Sequence, residues 1–307
     1  MKPWVRNLSA IVALLGGFVT WSLMPYKLHV LPPRKFEVPK ASVPEGVSLA
    51  AIPTGEIEAR EIFMFRGGAW GKQRKTVIGA ILVRHPRGNL LFDAGFGRNV
   101  HDHFASLNFF ARSNSSYSLH KPLGSQLAAA GIEPSALRAV VLTHAHWDHV
   151  SGLDDLRGVP VWLTREERAF IQDGGRATEL MRKLGQFKFE PVDFPDGAYL
   201  GFERSRDVWG DGSVVLVPAA GHTPGSLIAF ITLPNGTRYA LLGDVVWQKE
   251  GIDLPAERPW PTRMLVDWDE AKTRDVILHL EQLARAFPAL VMVPAHDMRV
   301  WAALPGL

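Results

Sequence analysis

A short histidine-rich segment constrains this chain more than any other feature. The segment reads HAHWDH and follows the apolar run Leu137–Thr143. An apolar run of this length predicts a buried strand, so the polar residues after it lie in the loop that leads to a helix. His144 and His146 can point to one side of that loop, while Asp148 and His149 can turn toward an adjacent point. The segment therefore indicates ligands for two metal ions held close together.

Two ions need more than four ligands, and three later segments supply candidates. Each candidate follows an apolar run that predicts a strand. His222 lies in a glycine-rich turn, GHTPGS, Asp244 ends the segment LLGD, and His296 lies in PAHD. Ligands at strand ends are held by a rigid scaffold, as a metal site requires.

The chain contains no cysteine, and this restricts its chemistry. Disulfides, thiolate nucleophiles and thiolate metal ligands are excluded. Any metal must bind through imidazoles and carboxylates, a set that suits two zinc ions and also iron, manganese or cobalt. Two such ions about 3.5–4 Å apart can share a hydroxide that attacks at neutral pH.

Taken in order along the chain, these segments resemble the metallo-β-lactamase superfamily. The resemblance covers roughly residues 60–300, almost all of the chain after its N-terminal segment. It implies an α/β fold of four layers, an αββα sandwich, with the site at one edge between the two halves. Because one fold can host many reactions, the activity has to be argued from the site itself.

The resemblance also implies a role for each candidate ligand. One ion would be held by His144, His146 and His222, and the other by Asp148, His149 and His296. Asp244 would bridge the two ions. Asp93, in the segment LFDAG, matches an acidic position that orients the histidine-bearing loop through hydrogen bonds.

The end of the chain favours one branch of the superfamily. The segment Pro294–Asp297, and Trp268-Asp269 before a long helix, are similar to the N-acyl-homoserine lactonase branch. The expected reaction is the opening of an ester or lactone by a hydroxide that bridges the two metal ions. Asp244 would hold both ions, and Asp148 or a water molecule would give a proton to the leaving alkoxide.

Other reactions of the superfamily stay open at this point. A β-lactam hydrolase and a thioester or phosphodiester hydrolase are the alternatives. The position of Asp244 argues against a true β-lactamase, because those enzymes lack the bridging carboxylate. A non-enzymatic metal-binding protein is disfavoured, since the ligands lie at strand ends around an open site.

Three aromatic residues are candidates for contact with a substrate. Trp247 stands where the lactonases usually carry a tyrosine, three residues after the bridging aspartate. An indole N–H can donate a hydrogen bond but cannot accept one, so Trp247 either orients a substrate carbonyl or packs. Phe109 and Phe110 lie in the apolar segment Asn99–Ser118, which is predicted to be irregular and could line a groove for an acyl chain.

The periodicity of apolar residues predicts alternating strands and helices, which places the chain in the α/β class. The predicted strands are Glu61–Arg66, Thr76–Arg84, Leu90–Phe92, Leu137–Thr143, Val159–Leu163, Ser213–Val217, Ser226–Leu233, Arg238–Leu242 and Leu290–Val293. The predicted helices are Pro122–Ala130, Arg165–Ile171, Thr178–Leu184 and Trp268–Phe287.

The N-terminal segment differs in character from the rest. Lys2 and Arg6 precede the uncharged apolar run Leu8–Met24, which predicts a membrane anchor or a signal segment over residues 1–30. Residues 31–53 are rich in proline and predict an extended tether, and residues 54–307 form the predicted catalytic domain. The expected localisation is membrane-anchored or periplasmic, with the N-terminal segment as the membrane contact.

The charge distribution bears on the expected partner. Residues 1–40 hold six basic residues and one acidic residue, whereas the whole chain has a net charge of only +3. The remainder is thus slightly acidic and lacks the basic surface that nucleic acid requires. A small molecule, with or without an apolar acyl chain, is the expected partner.

Overall fold

The fold is built on two β-sheets. The computed structural model describes residues 3–32, 35–107 and 109–307. The first sheet contains β1 (Ser48–Arg60), β2 (Gln73–Arg84), β3 (Asn89–Phe92), β4 (Ser115–Leu119), β5 (Leu137–Val141), β6 (Val161–Leu163) and β7 (Phe189–Pro191). Its spatial order is β4-β1-β2-β3-β5-β6-β7.

The second sheet follows in the C-terminal half. It contains β8 (Arg206–Asp207), β9 (Val214–Pro218), β10 (Leu227–Thr232), β11 (Arg238–Leu241) and β12 (Leu290–Val293), in the spatial order β12-β11-β10-β9-β8. Strands β11 and β12 run parallel, while β9, β10 and β11 alternate in direction. The C-terminal ends of β9, β11 and β12 therefore meet at one edge of this sheet.

Helices flank the two sheets, and α4 and α10 are among those that pack on the outer faces. They are α1 (Pro3–Leu23), α2 (Val100–Ala105), α3 (Phe109–Asn114), α4 (Leu123–Ala129), α5 (Trp147–Val150), α6 (Arg165–Asp173), α7 (Glu179–Lys183), α8 (Glu250–Asp253), α9 (Trp260–Val266), α10 (Glu270–Ala286) and α11 (Met298–Trp301). Short 3₁₀ turns span Glu61–Phe63, Pro134–Ala136 and Ser151–Leu156.

Three apolar clusters separate these elements into four layers. Between the sheets, Val83 of β2 packs in one cluster with Leu216 of β9. Its chain neighbour Leu82 points the other way, into a cluster with Leu127 of α4, because successive residues of a strand face opposite sides. On the far side, α10 packs against the second sheet through Leu280. This arrangement confirms the predicted αββα sandwich.

The first strand and the turn after it differ from the prediction. Strand β1 begins at Ser48, inside the segment predicted as a tether, and pairs along its length with β2. A register shift between Pro53 and Gly55 accommodates the proline within the strand. The predicted strand Glu61–Arg66 is instead a 3₁₀ turn, because the Glu61 carboxylate accepts a hydrogen bond from the Ala69 N–H at 2.9 Å and closes the chain on itself.

The segment Asn99–Ser118, predicted as irregular, contains the helices α2 and α3 and most of the edge strand β4. Strand β4 pairs with β1, which was not recognised as a strand from the sequence. The ordered structure of this segment thus depends on a long-range partner. Periodicity within the segment alone could not reveal it.

The end of helix α1 is attached to the body of the protein. The Arg66 guanidinium donates to the carbonyl of Trp21 at 2.8 Å and lies 4.5 Å from the centre of its ring. Leu28 is buried in the apolar cluster beneath α10. In the described part of the chain, no helix combines the length and the apolar character needed to cross a membrane, so the predicted anchor gains no support from the structure.

A charged cluster beside α8 yields a prediction about pH and stability. Burial alone would raise the pKa of Glu250, but hydrogen bonds from Arg74 and Arg299 outweigh it and hold the pKa at about 2. A lowered folded-state pKa stabilises the fold above the unfolded value of 4.5, and this stabilisation is lost as the pH falls toward 2.

We therefore expect Glu250→Gln to lower the free energy of unfolding by about 1–2 kcal/mol at pH 7, after allowance for partial exposure. At pH 3 the difference from the parent protein should shrink to about half or less. Urea unfolding at the two pH values measures both numbers. An equal difference at pH 3 and pH 7 would show that Glu250 stabilises the fold through packing and not through its charge.

Candidate metal centre

All seven predicted ligands come together at one edge of the sandwich. They lie on segments that follow the ends of neighbouring strands: His144, His146, Asp148 and His149 after β5, His222 after β9, Asp244 after β11, and His296 after β12. Neighbouring parallel strands end at the same edge of a sheet, and this places side chains that are distant in sequence next to one another.

The ligands divide into groups of the size a metal ion requires. His144, His146 and His222 bring one nitrogen each to within 4.8 Å of one another, and so do the ligand atoms of Asp148, His149 and His296. Within the first group, Nδ1 of His146 lies 2.9 Å from Nε2 of His222. These are the two groups that the resemblance implied.

Asp244 lies between the two groups. Its Oδ1 is 3.1 Å from Nε2 of His149 and 3.0 Å from Nε2 of His296. Its Oδ2 is 3.5 Å from Nε2 of His222 and 3.9 Å from Nε2 of His144. One carboxylate oxygen therefore faces each group, which is the geometry of a bridging ligand.

Several buried ligand atoms have no hydrogen-bond partner among the described residues. They are Nε2 of His144, Nε2 of His149 and Oδ1 of Asp244. Oδ1 lies near two imidazole nitrogens but is not hydrogen-bonded to either of them. Buried polar atoms without partners are costly, and a bound cation would satisfy all three.

Hydrogen bonds on the far side of the imidazoles fix which nitrogen faces the site. Nδ1 of His149 lies 2.8 Å from Oδ2 of Asp93, and Nδ1 of His296 lies 3.1 Å from the carbonyl of Val77. Both acceptors require a protonated Nδ1, which leaves the lone pair of Nε2 directed into the site. The ring orientation of each histidine is thus set before any ion binds.

Asp93 holds the start of the histidine-bearing loop. Its Oδ1 accepts the N–H of Thr143 at 2.7 Å, and its Oδ2 accepts the Thr143 hydroxyl at 2.9 Å. That hydroxyl oxygen lies 3.1 Å from Nδ1 of His144 and can accept a hydrogen bond from its N–H. Asp93 adopts a left-handed backbone with φ of 57°, an uncommon conformation that aspartate tolerates better than most residues.

Asp267 orients His222 in the same manner, and this residue was not predicted from the sequence. Its Oδ1 lies 2.9 Å from Nδ1 of His222. Arg258 donates to both oxygens of Asp267 and, through a further N–H, to the carbonyl of Asp244 at 2.9 Å. One buried arginine therefore connects the segment that carries Asp244 to the carboxylate that orients His222.

The electrostatic environment favours a neutral imidazole at His144 and His146 and a positive charge at His149. Burial, followed by the neighbouring imidazoles, lowers the pKa of His144 well below its usual value, and burial does the same for His146. Burial would also lower the pKa of His149, but the carboxylates of Asp93 and Asp244 outweigh it and raise that pKa. A site that stabilises a positive charge suits a cation.

Trp247 is adjacent to the site, but its N–H is already used. Nε1 donates to Oδ2 of Asp244 at 2.7 Å. The ring lies beneath the Arg258 guanidinium, 5.2 Å from its carbon, and packs near Met64 and Phe65. Of the two roles considered for Trp247, packing with a bond to Asp244 is the one found in this structure.

The two phenylalanines predicted to contact a substrate are not found at the metal centre among the described side chains. Phe109 is 78% exposed on α3, and the side chain of Phe110 lies outside the described residues. Phe104 of α2 instead packs 5.8 Å from the ring of Trp147 and 4.7 Å from that of Tyr117. Trp147 lies between the candidate ligands His146 and Asp148 in sequence, so this aromatic cluster is attached to the histidine-bearing loop.

The contact between Asp267 and His222 predicts a selective effect. Asp267→Ala should weaken the ion held by His144, His146 and His222 by about 10–100-fold. The other ion should keep its affinity, because its ligands are held by Asp93 and Val77. Zinc titration against a chromophoric chelator measures both affinities.

A suitable control is Glu270→Gln, which changes a partly exposed carboxyl that pairs with Arg263. Equal zinc affinities in Asp267→Ala and the parent protein would contradict the role assigned to Asp267.

Comparison with known proteins agrees with this geometry. The profile of the metallo-beta-lactamase superfamily matches residues 77–296, a range that contains every ligand described above. The chain therefore belongs to the metallo-beta-lactamase superfamily.

Curated relatives share part of the chain. A probable metallo-hydrolase of Mycobacterium tuberculosis is 31% identical over 183 residues, which cover 56% of this chain and 58% of that protein. An N-acyl homoserine lactonase of Agrobacterium fabrum is 27% identical over 182 residues, 58% of this chain and 64% of that one. The chain thus spans about three fifths of the length of these relatives.

Solved structures share the fold over a larger extent. A Bacillus thuringiensis protein with N-decanoyl-L-homoserine bound at its active site superposes with a TM-score of 0.69 at 17% identity, covering 88% of this chain and 98% of that one. A dizinc quorum-quenching lactonase superposes with a TM-score of 0.54 at 16% identity, covering 86% and 90%. At such low identities the likeness establishes the fold alone.

Proposed function

We propose that this protein is a dinuclear metal-dependent hydrolase that opens an ester or lactone with an apolar acyl chain. The observation that carries the proposal is the position of Asp244, with one carboxylate oxygen toward each group of ligands. A carboxylate in that position serves two ions at once. A single-ion site would leave one group of buried ligand atoms without a partner.

The residues present fit two zinc ions. The first group offers three imidazole nitrogens, and the second offers two imidazoles and a carboxylate. Each ion would have three ligands from its own group and a fourth from the shared Asp244. This coordination leaves room for a further ligand at each ion. When bound, the two ions would supply a nucleophilic water at neutral pH and would polarise a carbonyl group.

The protein side chains have separate tasks in the proposed reaction. Asp148 is half-buried, and its Oδ2 lies 3.4–3.8 Å from the imidazoles of His296 and His149. Its position at the accessible side of the site suits it to deliver a proton to the leaving alkoxide. Trp247 holds Asp244 in place by its N–H bond. Asp93 and Asp267 keep the imidazoles oriented without contact with the substrate.

An apolar part of the substrate is supported by the surface beside His222. The backbone N–H of Trp268 donates a hydrogen bond to the carbonyl of His222 at 3.0 Å, and the Trp268 side chain is half exposed. Met264 and Leu265, on the helix that leads to this segment, are exposed as well. Exposed apolar side chains grouped near a site are characteristic of ligand contacts. The acyl-homoserine ligand named for a structural neighbour points in the same direction.

The test is acid release in a pH-stat by the full chain loaded with zinc, with a long-chain N-acyl-homoserine lactone as substrate. We expect a rate well above background that a chelator abolishes and added zinc restores. The full chain is required because residues near Trp21 and Leu28 pack on the body.

Failure of this test can be assigned to the metal or to the substrate. If two zinc ions bind but the lactone is not opened, the lactone proposal is wrong, and β-lactam, thioester and phosphodiester substrates identify which alternative reaction applies. If no substrate is opened and fewer than two ions bind, the dinuclear hydrolase proposal itself is wrong.

A further inference from the structure

Glu167, on the first turn of α6, is a fully buried carboxylate that neither metal group uses. Its side chain has no exposed surface. Oε1 accepts the N–H of Ala145 at 2.7 Å, and Oε2 accepts the Thr223 hydroxyl at 2.6 Å and the N–H of Gly225 at 3.1 Å. Both oxygens are thus satisfied by three donors that flank metal ligands.

These donors belong to two different loops. Ala145 stands between His144 and His146, while Thr223 and Gly225 are one and three residues after His222. The loops come from different sheets of the sandwich, so the chain itself does not fix the distance between them. A single carboxylate bonded to both loops links the halves of the three-histidine group, in addition to the bond from the Leu227 N–H to the Thr143 carbonyl at 3.0 Å.

The close fit around Gly225 is an independent sign of the same arrangement. A Cβ atom at Gly225 would lie 2.2 Å from the Glu167 nitrogen and 2.2 Å from Oγ1 of Thr164. Thr164 caps α6 by accepting the N–H of Glu167, and its hydroxyl donates to the carbonyl of Gly225 at 3.0 Å. The first turn of α6 therefore packs directly against the backbone of the His222 turn, where Gly225 has no side chain.

We propose that Glu167 is a positioning residue that sets the separation between the loop of His144 and His146 and the turn of His222. Through this separation it determines how tightly the three-histidine group holds its ion. The role rests on the proposed function, because it has meaning only if that group binds a metal. It extends that function because a residue that is not a metal ligand would control the affinity for one of the two ions.

The chemistry of the contact requires a carboxylate. Three donors converge on Glu167, and only an acceptor-only group satisfies all of them. In Glu167→Gln the amide NH₂ must face either the N–H of Ala145 or the N–H of Gly225, so one loop is repelled. Burial raises the pKa of Glu167 to about 7, against the opposing effect of its three hydrogen bonds, and measurements at pH 8 keep it ionised.

The experiment is a zinc titration of the full chain at pH 8 against a chromophoric chelator, combined with the absorption spectrum of the cobalt(II)-loaded protein. Glu167→Gln should weaken one of the two ions by about 10–100-fold and shift the cobalt bands, with the second ion unchanged. Glu166→Gln, its exposed neighbour on α6, removes the same charge and should match the parent protein in both measurements.

Thr223→Val provides a milder test if Glu167→Gln does not fold. It removes one of the three donors at nearly constant volume and should weaken the same ion by a smaller factor. Equal loss at both ions, or unchanged affinities in a folded variant, would overturn the positioning role. A parent protein that binds no zinc would instead refute the proposed function on which it rests.

Discussion

Replacing Asp244 with asparagine is expected to lower kcat/KM by at least about 1,000-fold, which corresponds to roughly 4 kcal/mol in the activation barrier. Asparagine preserves the shape of the side chain but removes the charge that faces both groups of ligands. The neutral amide can bind one ion through its oxygen but cannot bridge two with comparable strength. We therefore expect the number of tightly bound zinc ions to fall from two to one or fewer.

The matched control for this variant is Asp193→Asn. Asp193 is exposed and pairs with Arg165 on the surface, so the same change in charge occurs away from the site. Plasma emission analysis of dialysed protein gives the metal content, and initial rates give kcat/KM. An Asp244→Asn variant with the metal content and the rate of the control would remove the basis for a bridging carboxylate.

The second large effect is expected at Asp93. Asp93→Ala leaves the N–H and hydroxyl of Thr143 and Nδ1 of His149 without their acceptor. Buried donors without partners cost about 1–3 kcal/mol each, so we expect the metal-free protein to lose about 2–4 kcal/mol of stability. The ion held with His149 should bind about 10–100-fold more weakly.

Asp93→Asn separates the contribution of Asp93 to stability from its contribution to zinc affinity. Asparagine tolerates the left-handed backbone at this position and can still accept the Thr143 N–H through its oxygen. It should therefore retain more stability than the alanine variant but still orient His149 poorly. Urea unfolding of the metal-free proteins and zinc competition give the two quantities. Full affinity in the alanine variant would contradict the orienting role of Asp93.

The candidate ligands could be predicted from the sequence because they follow strongly apolar runs. An apolar run such as Leu137–Thr143 predicts a buried strand, and residues after neighbouring buried strands meet at one edge. The histidines, Asp148 and Asp244 could therefore be placed together from the sequence pattern, whereas Asp93 was assigned only through the resemblance to the superfamily. Strand β1 was missed because Pro53 and Gly55 interrupt its pattern, and its pairing with β2 restores the strand through a register shift.

Other residues of the site could not be found in this way. Asp267 and Glu167 act on the ligands across 45 and 22 residues of sequence respectively, and neither lies in a recognisable segment. Glu167 stands among charged residues in the segment REER, yet its side chain is fully buried. The direction of the Trp247 N–H likewise depends on packing against Arg258. Such contacts are decided by tertiary structure and not by local pattern.

The most direct test of the account is the number of zinc ions held by the full chain after dialysis against metal-free buffer. The geometry around Asp244 predicts two ions per chain, with one lost in His222→Ala and the other lost in His296→Ala, and with hydrolytic activity restored only when both are present. A single ion per chain in an active parent protein would contradict the two-metal centre and the bridging role of Asp244.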